Sequence, residues 1–180
     1  MRSSLIASLA VICAGCAIGE PRYPLAWGLL PTPPTEDCRS LQGNYADRGE
    51  MAIDPSKPSL TRELFGFKSD WKSATSVEFL MPVAEVLEIT AWAGGKRMLT
   101  QSFNAAAGEF TCSAGHVKLS GKRWVAEEMI TGQEEYSVDL YYADRHMLAF
   151  VATRTYATLF IFVPVIADAT HWYRFARMNP

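Results

Sequence analysis

The sequence predicts an all-β domain over residues 38–180, an antiparallel meander of about nine or ten strands. Two observations predict it. Short segments alternate apolar and polar residues, and turn residues separate these segments. In "AEVLEITAWAGGKRMLTQSF", apolar residues recur at every second position before Gly94-Gly95, a pair that suits a tight hairpin turn. Because so many sequential strands must hide their edges, we expect a barrel-like sheet, with a two-layer β-sandwich as the alternative.

The composition is that of an ordinary globular chain with one domain. It has 180 residues, of which 49% are hydrophobic and 20% charged, and its formal net charge is −2. Residues 38–180 are enough for one core and too few for two. Binding to phosphates needs concentrated positive charge, and the lysines and arginines here are not clustered. The sequence therefore predicts no nucleic-acid partner.

Residues 1–15 read as an export signal. Arg2 supplies a minimal basic region, residues 5–12 are mostly apolar, and Ala14-Gly15 are small residues that suit processing. The apolar run is about half the length of roughly 20 residues that a membrane-spanning helix needs. We therefore predict a cleaved signal peptide.

The end of this signal resembles the lipobox of bacterial lipoproteins, on the residues Ile12-Cys13-Ala14-Gly15-Cys16. The resemblance implies cleavage before Cys16, which then carries a diacylglycerol and an N-linked acyl chain such as palmitate. Cys13 stands where leucine is usual. Ala17, rather than aspartate, follows the lipidated position, which implies transport to the outer membrane. Three acyl chains would anchor the protein firmly. A plain secretory signal that releases a soluble protein is the alternative.

The two remaining cysteines, Cys38 and Cys112, would meet an oxidising periplasm, where disulfides persist. We predict a disulfide between them that closes a loop of about 75 residues and contributes about 4 kcal/mol in the chain-entropy model. No metal site is predicted, because neither cysteine lies in a C-x-x-C pair and the three histidines are scattered.

Residues 16–37 are predicted to be a lipid-anchored, proline-rich tether. Five of the ten prolines lie within 21 residues there, which excludes a regular helix or a central strand. Extended at about 3.1 Å per residue, the segment would span up to roughly 60 Å. Trp27, Leu29 and Leu30 are apolar residues that a solvated spacer would lack, so we expect them to dock on the domain rather than lie at the membrane surface.

Within the domain, one short helix is predicted near residues 59–65, with Ser59 as N-cap and Gly66 as the stop, covering an open end of the sheet. The run "LFIFVPVIA" at 159–167 predicts a strand buried on both faces, and "HWYRF" at 171–175 a final strand. The predicted core faces are Val77/Phe79/Met81, Leu87/Ile89/Ala91, Phe110/Cys112, Val117/Leu119 and Tyr136/Val138/Leu140/Tyr142. Further turns are predicted at residues 113–115, Gly121-Lys122, Thr131-Gly132 and residues 143–146.

Several short motifs together resemble a group of small uncharacterised lipoproteins of Gram-negative bacteria. They are "CRSLQGNY" at Cys38, the helix that ends in Phe65-Gly66, "FTCSAGHVKL" around Cys112, and "WYRF" at residues 172–175. The resemblance implies attachment to the outer membrane, supports the disulfide and brings no activity. Gly43-x-Tyr45 also resembles the opening of lipocalins.

No catalytic residue and no cofactor are predicted. The candidate groups would be His116, His146 and His171 with Asp139, Asp144 and Asp168, and none stands in a catalytic motif. Neither Glu127-Glu128 nor Glu134-Glu135 forms an acid/base pair alone, because adjacent residues of a strand point to opposite faces. We interpret both pairs as solvated charges that flank a hairpin.

Two functions remain as expectations. The first is a lipoprotein anchored in the outer membrane and facing the periplasm, with a structural or protein-interaction role in the cell envelope. The second is a small hydrophobic-ligand binding module, a lipocalin-like barrel whose interior holds an apolar molecule.

Overall fold

The chain folds as one open sheet of eleven strands with one short α-helix among the described residues. The computed structural model describes residues 16–19, 22–30, 32, 37–52, 55–66, 72–127, 130–159 and 163–178. The elements are β1 (Cys16–Gly19), β2 (Gly43–Ala46), β3 (Glu50–Met51), α1 (Leu60–Phe65), β4 (Ser76–Val83), β5 (Val86–Ala93), β6 (Lys96–Asn104), β7 (Phe110–Ser113), β8 (His116–Glu127), β9 (Ile130–Ala143), β10 (His146–Leu159) and β11 (Val163–Met178). Short 3₁₀ turns occupy Leu25–Trp27 and Cys38–Leu41.

The strand order is β6-β5-β4-β2-β11-β10-β9-β8-β7, and neighbours in this order are antiparallel. Two meanders, β4 to β6 and β7 to β11, are joined by β2, which pairs with both β4 and β11. The edge strands β6 and β7 do not pair, so the sheet is not closed. The predicted antiparallel all-β fold is confirmed, and both the barrel-like and the sandwich description fit it.

Both meanders bury side chains in a single core. The predicted faces of β4 and β5 are confirmed, because the predicted core residues are buried: Val77, Phe79 and Met81 of β4, and Leu87, Ile89 and Ala91 of β5. Tyr45 of β2 lies among them with its ring edge-on to Phe79, and its hydroxyl donates to the carbonyl of Leu41 at 2.9 Å. Burial raises the pKa of Tyr45 to about 12. From the other meander the core takes Phe110, Val117, Leu119, Val138, Leu140, Met147, Ala149, Val151, Tyr173 and Phe175.

Two details of the predicted core are different. Cys112 is exposed although Phe110, on the same face of edge strand β7, is buried, because burial along β7 ends after Phe110. Tyr136 and Tyr142 are half-buried and pack against the core from its margin. The prediction that these residues lie inside the core was therefore wrong for Cys112 and only partly right for the tyrosines.

Strands β8 to β11 are 12 to 16 residues long, and two predicted turns lie inside them. Gly121-Lys122 is within β8 and Thr131-Gly132 within β9, so both turn predictions were wrong. The glycines serve close packing instead. A Cβ at Gly121 would lie 2.9 Å from the hydroxyl of Tyr136, and a Cβ at Gly132 would lie 2.1 Å from the carbonyl oxygen of Tyr156.

The predicted hairpin turns at Gly94-Gly95, residues 113–115 and residues 143–146 are confirmed, and each contains a residue with a positive φ angle. Gly94 and Gly95 have φ of 55° and 79°, and Gly115 follows Ala114, whose φ is 49°. In the turn between β9 and β10, Asp144 has a φ of 52°. These turns set the antiparallel pairing of each hairpin.

The apolar run at residues 159–167 is not one buried strand. Leu159 ends β10 and Val163 begins β11, while residues 160–162 lie outside the described residues. Pro164 and Ile166 are exposed, so the prediction of a strand buried on both faces was wrong. The sheet is one layer thick here, and alternate side chains reach solvent. The predicted final strand at 171–175 is confirmed within β11.

Helix α1 has the predicted bounds and caps. The Ser59 hydroxyl accepts a hydrogen bond from the backbone N–H of Arg62 at 3.2 Å, and Gly66 follows the last helical residue with a φ of 80°. Leu60 and Leu64 of the helix belong to the core. The helix also contacts β8, since Arg123 donates to the carbonyl of Glu63 at 3.1 Å.

The described part of the predicted tether lies along the sheet. β1 pairs with β11 in parallel, with Cys16 opposite Ala167 and Gly19 opposite Thr170. Among the side chains expected to dock, Trp27 does, because the guanidinium of Arg174 lies 5.1 Å from its ring centroid. Leu29 and Leu30 remain exposed, so docking was predicted wrongly for them. Residues 16–19 and Trp27 therefore lie against the sheet.

Candidate functional site

The four long strands align their side chains in transverse rows, and alternate residues form two faces. The inner face includes the core residues Val117, Leu140, Ala149 and Tyr173. The outer face is the opposite one. Its rows, read from β8 to β11, are His116–Tyr141–Leu148–Arg174, Lys118–Asp139–Phe150–Trp172, Ser120–Ser137–Ala152–Thr170, Lys122–Glu135–Arg154–Asp168, Trp124–Gln133–Tyr156–Ile166 and Ala126–Thr131–Thr158–Pro164.

The amino-terminal segment covers the first rows of the outer face. Tyr23 packs edge-on against Trp172, with ring centroids 5.1 Å apart, and Trp27 lies under Arg174. Leu148 is consequently buried although it lies on the outer face. Tyr141 also packs near Trp172, at 5.7 Å between centroids. An aromatic cluster therefore seals this end of the outer face.

A row of alternating charges crosses the middle of the outer face. The Lys122 ammonium lies 2.7 Å from a carboxylate oxygen of Glu135. Arg154 donates two hydrogen bonds to Asp168, at 2.6 and 3.0 Å, in a bidentate pair. This pair lowers the pKa of Asp168 and raises that of Arg154. Both pairs are solvated, so they contribute little to stability and instead fix the charge pattern of the surface.

Next to the charged row lies an open groove of about 480 Å³. Its floor is the row of small side chains Ser137, Ala152 and Thr170, and its wall is the ion pair of Arg154 with Asp168. The small side chains leave this depression between the aromatic rows and the charged row. The groove offers hydroxyls and an exposed ion pair beside a larger share of apolar surface, a combination that suits a partner with both polar and apolar groups.

A second, more buried ion pair lies directly behind, on the inner face. Arg123 contacts Glu134 at 2.5 Å, and its guanidinium lies 5.0 Å from the ring centroid of Tyr136. Thr155 completes this group with a 3.4 Å contact to Glu134. The prediction that Glu134 is a solvated charge was therefore wrong, because α1 and the inner face enclose it.

Glu63, in the first turn of α1, faces the same group. Burial raises the pKa of Glu63 to about 7, and the nearby Arg123 and Arg62 only partly oppose this effect. The carboxyl accordingly titrates close to neutral pH. It lies where the helix meets β8, since Arg123 also donates to the carbonyl of Glu63.

The histidines and aspartates considered as catalytic candidates are dispersed. His116 stacks on Tyr141 at 5.2 Å between ring centroids, and burial raises the pKa of the neighbouring Asp139. Burial and the charge of Arg174 lower the pKa of His146. His171 stacks on Tyr173, on the inner face. Over the part of the chain that the structure describes, no group of three or more His, Cys, Asp or Glu residues is arranged to hold a metal ion.

The four cysteines have different environments. The predicted disulfide joins Cys38 to Cys112, with Cα atoms 6.0 Å apart, and links the 3₁₀ turn at Cys38–Leu41 to edge strand β7. The backbone of Cys16, the predicted lipidation site, begins β1. Cys13 and the rest of the predicted signal peptide lie outside the described residues. Among the described residues, no helix is both long and apolar enough to cross a membrane.

Sequence reasoning missed the groove and the row pattern of the outer face. Asp168 was considered only as a catalytic acid, whereas its partner is Arg154 on the next strand. The sequence contained part of the information, because pairing β10 with β11 in the correct register places Arg154 opposite Asp168. Comparisons with known protein families, curated proteins and solved structures find no match to this chain.

Proposed function

We propose that this chain is a lipoprotein of the outer membrane, facing the periplasm, and that its outer face binds another protein of the cell envelope. The observation that carries the interaction role is the open groove of about 480 Å³ beside the charged row. The row alternates positive and negative side chains from Lys122 to Asp168. Such a pattern selects a partner with complementary charges at fixed spacing.

Two observations support the location. The Cys38–Cys112 disulfide is typical of proteins that fold in an oxidising compartment. The residues that precede Cys16 resemble a lipobox, and this resemblance remains an expectation from the sequence. Export and acylation together account for Cys16, Cys38 and Cys112.

The alternative, an apolar ligand held inside the sheet, has less support. The interior is occupied by side chains such as Phe79, Leu87 and Phe110, each of which is almost fully buried. Phe150 lies on the outer face against Trp172 and does not line the interior.

Native mass spectrometry of the protein extracted from its own membrane tests the proposal. We expect the mass of acylated Cys16 and a retained protein partner. Ala152→Arg fills the groove and should abolish retention of that partner. Val83→Arg is the matched control, because Val83 is exposed on β4 and lies away from the groove. Retention of the partner by Ala152→Arg, or retention of a small apolar molecule in place of a protein, would contradict the proposed function.

A further inference from the structure

The ends of the long strands that lie away from the core carry few charged side chains. They consist of residues 124–127 of β8, 130–133 of β9, 156–159 of β10 and 163–166 of β11. Among these sixteen residues Glu127 is the one with a charged side chain, and Glu128 follows it in the sequence. We call these four stretches the far end of the sheet. At about 3.3 Å per residue, the far end is about 13 Å deep.

The outer face of the far end exposes three large apolar side chains in one row. Trp124 is 70% exposed, Tyr156 41% and Ile166 51%. Trp124 and Tyr156 lie on β8 and β10 with Gln133 between them, and Ile166 follows on β11. Tryptophan and tyrosine are the residues enriched where proteins meet the boundary between lipid and water.

Ion pairs border the far end on both faces of the sheet. The row from Lys122 to Asp168 borders it on the outer face, and Arg123 with Glu134 borders it on the inner face. Beyond these pairs the charged residues are Glu127, in the far end, and Glu128, which follows it in the sequence. Exposed Trp and Tyr side chains next to ion pairs are the arrangement found where proteins meet the boundary between acyl chains and headgroups.

The register of β1 brings the predicted lipid anchor to the same place. Cys16 pairs with Ala167, the residue next to Ile166, and β1 runs parallel to β11. The beginning of β1 therefore points toward the far end. Acyl chains attached at Cys16 would therefore start beside Ala167, between the charged row at Asp168 and the row that ends at Ile166.

We propose that the far end of the sheet, with Trp124, Tyr156 and Ile166, enters the interfacial region of the lipid bilayer in which Cys16 is anchored. This inference rests on the proposed lipid attachment and adds a second contact with the membrane. The occupant is the lipid surface itself. Entry to a depth of about 5–10 Å, as for interfacial segments, leaves the groove and the charged row accessible to a protein partner.

Quenching of tryptophan fluorescence by brominated lipid tests the inference. The membrane-extracted chain is reconstituted in vesicles of phosphatidylethanolamine and phosphatidylglycerol, with and without bromine on the acyl chains. We expect Trp124→Phe to lose most of the quenching. Trp92→Phe is the matched control and should retain it, because Trp92 lies on β5 with its ring N–H bonded to Glu78. Quenching that is unchanged by Trp124→Phe would overturn the inference.

A binding measurement separates this inference from the proposed anchor. The chain with Cys16→Ser has no acyl site, and we expect it to bind the same vesicles weakly. Adding Trp124→Asp with Ile166→Asp should lower that binding about tenfold. Leu80→Asp with Val83→Asp is the control, since both residues are exposed on β4. The inference would be overturned if both double variants lost the same amount of vesicle binding, or if the chain with Cys16→Ser alone did not bind the vesicles. Either result would count against it even where mass spectrometry finds Cys16 acylated. If Cys16 proves unacylated, Trp124-dependent quenching would still support it.

Discussion

At the scale of single residues, buried charge decides how α1 meets the long strands. Glu63 lies against Arg123, which also binds Glu134 and the carbonyl of Glu63. Arg123 supplies one positive charge to two carboxyl groups. For Glu63, the effect of burial, which disfavours the ionised form, is larger than the opposing effect of Arg123. We therefore expect the contact between helix and sheet to depend on the protonation of Glu63.

We predict that Glu63→Gln removes a pH dependence of stability. Burial raises the pKa of Glu63 from 4.5 to about 7 in the folded chain, so the folded state binds more protons than the unfolded state between these values. The free energy of unfolding should therefore fall as pH rises from about 4.5 to about 7. Above this window, Glu63→Gln should be more stable than wild type by about 1–3 kcal/mol.

Urea unfolding at pH 5 and pH 8 measures this difference. Glu85→Gln is the control, because Glu85 is exposed in the turn between β4 and β5. It should leave the pH dependence unchanged. If Glu63→Gln and wild type lose the same stability between the two pH values, burial of this carboxyl has no energetic consequence.

At the scale of the elements, α1 is held by a buried carboxylate as well as by its caps. Asp47 is fully buried, and its Oδ1 accepts hydrogen bonds from the backbone N–H of Thr61 at 2.8 Å and from the Ser59 hydroxyl at 3.1 Å. The carbonyl of Asp47 also accepts from the N–H of Leu60 at 2.8 Å. Asp47 thus satisfies donors in the first turn of the helix, which would otherwise have no partner.

We expect Asp47→Ala to lower the free energy of unfolding by about 2–4 kcal/mol, because buried donors lose a charged acceptor. Asp47→Asn keeps one acceptor oxygen and should lose less. Thermal and urea unfolding of the two variants measure the loss. A change below about 0.5 kcal/mol for Asp47→Ala would mean that water or other groups satisfy these donors.

Local signals predicted some elements and failed for others. The helix could be predicted from local sequence, because Ser59 is typical of a helix N-cap and Gly66 of the position that ends a helix. Gly121 and Gly132 are ambiguous in the sequence, because glycine is equally common in turns and at close contacts within a sheet. The choice between them depends on Tyr136 and Tyr156, whose positions follow only from the strand register. The pairing of β2 between β4 and β11 is also long-range and leaves no local pattern.

At the scale of the whole molecule, the sequence predicted the disulfide and the fold class but not the candidate surface. The cysteines could be paired by counting, because Cys38 and Cys112 remained once Cys13 and Cys16 were assigned to the export signal. The outer face exists only after four strands align, so no single segment reveals it. The same alignment brings β1 beside the far end.

In the proposed arrangement, the acyl anchor and the far end of the sheet meet lipid, while the groove beside Arg154 and Asp168 is accessible to a partner. The disulfide and the core lie beyond the charged row, away from the far end. The proposed location at the outer membrane depends on acylation of Cys16.

Metabolic labelling with a fatty acid tests that central claim most directly. The full chain with its own leader is produced in a Gram-negative host, together with Cys16→Ser and the control Cys13→Ser. We predict that wild type and Cys13→Ser take up the label and fractionate with the outer membrane, whereas Cys16→Ser takes up none. An unlabelled wild type, or equal labelling of Cys16→Ser, would contradict the account.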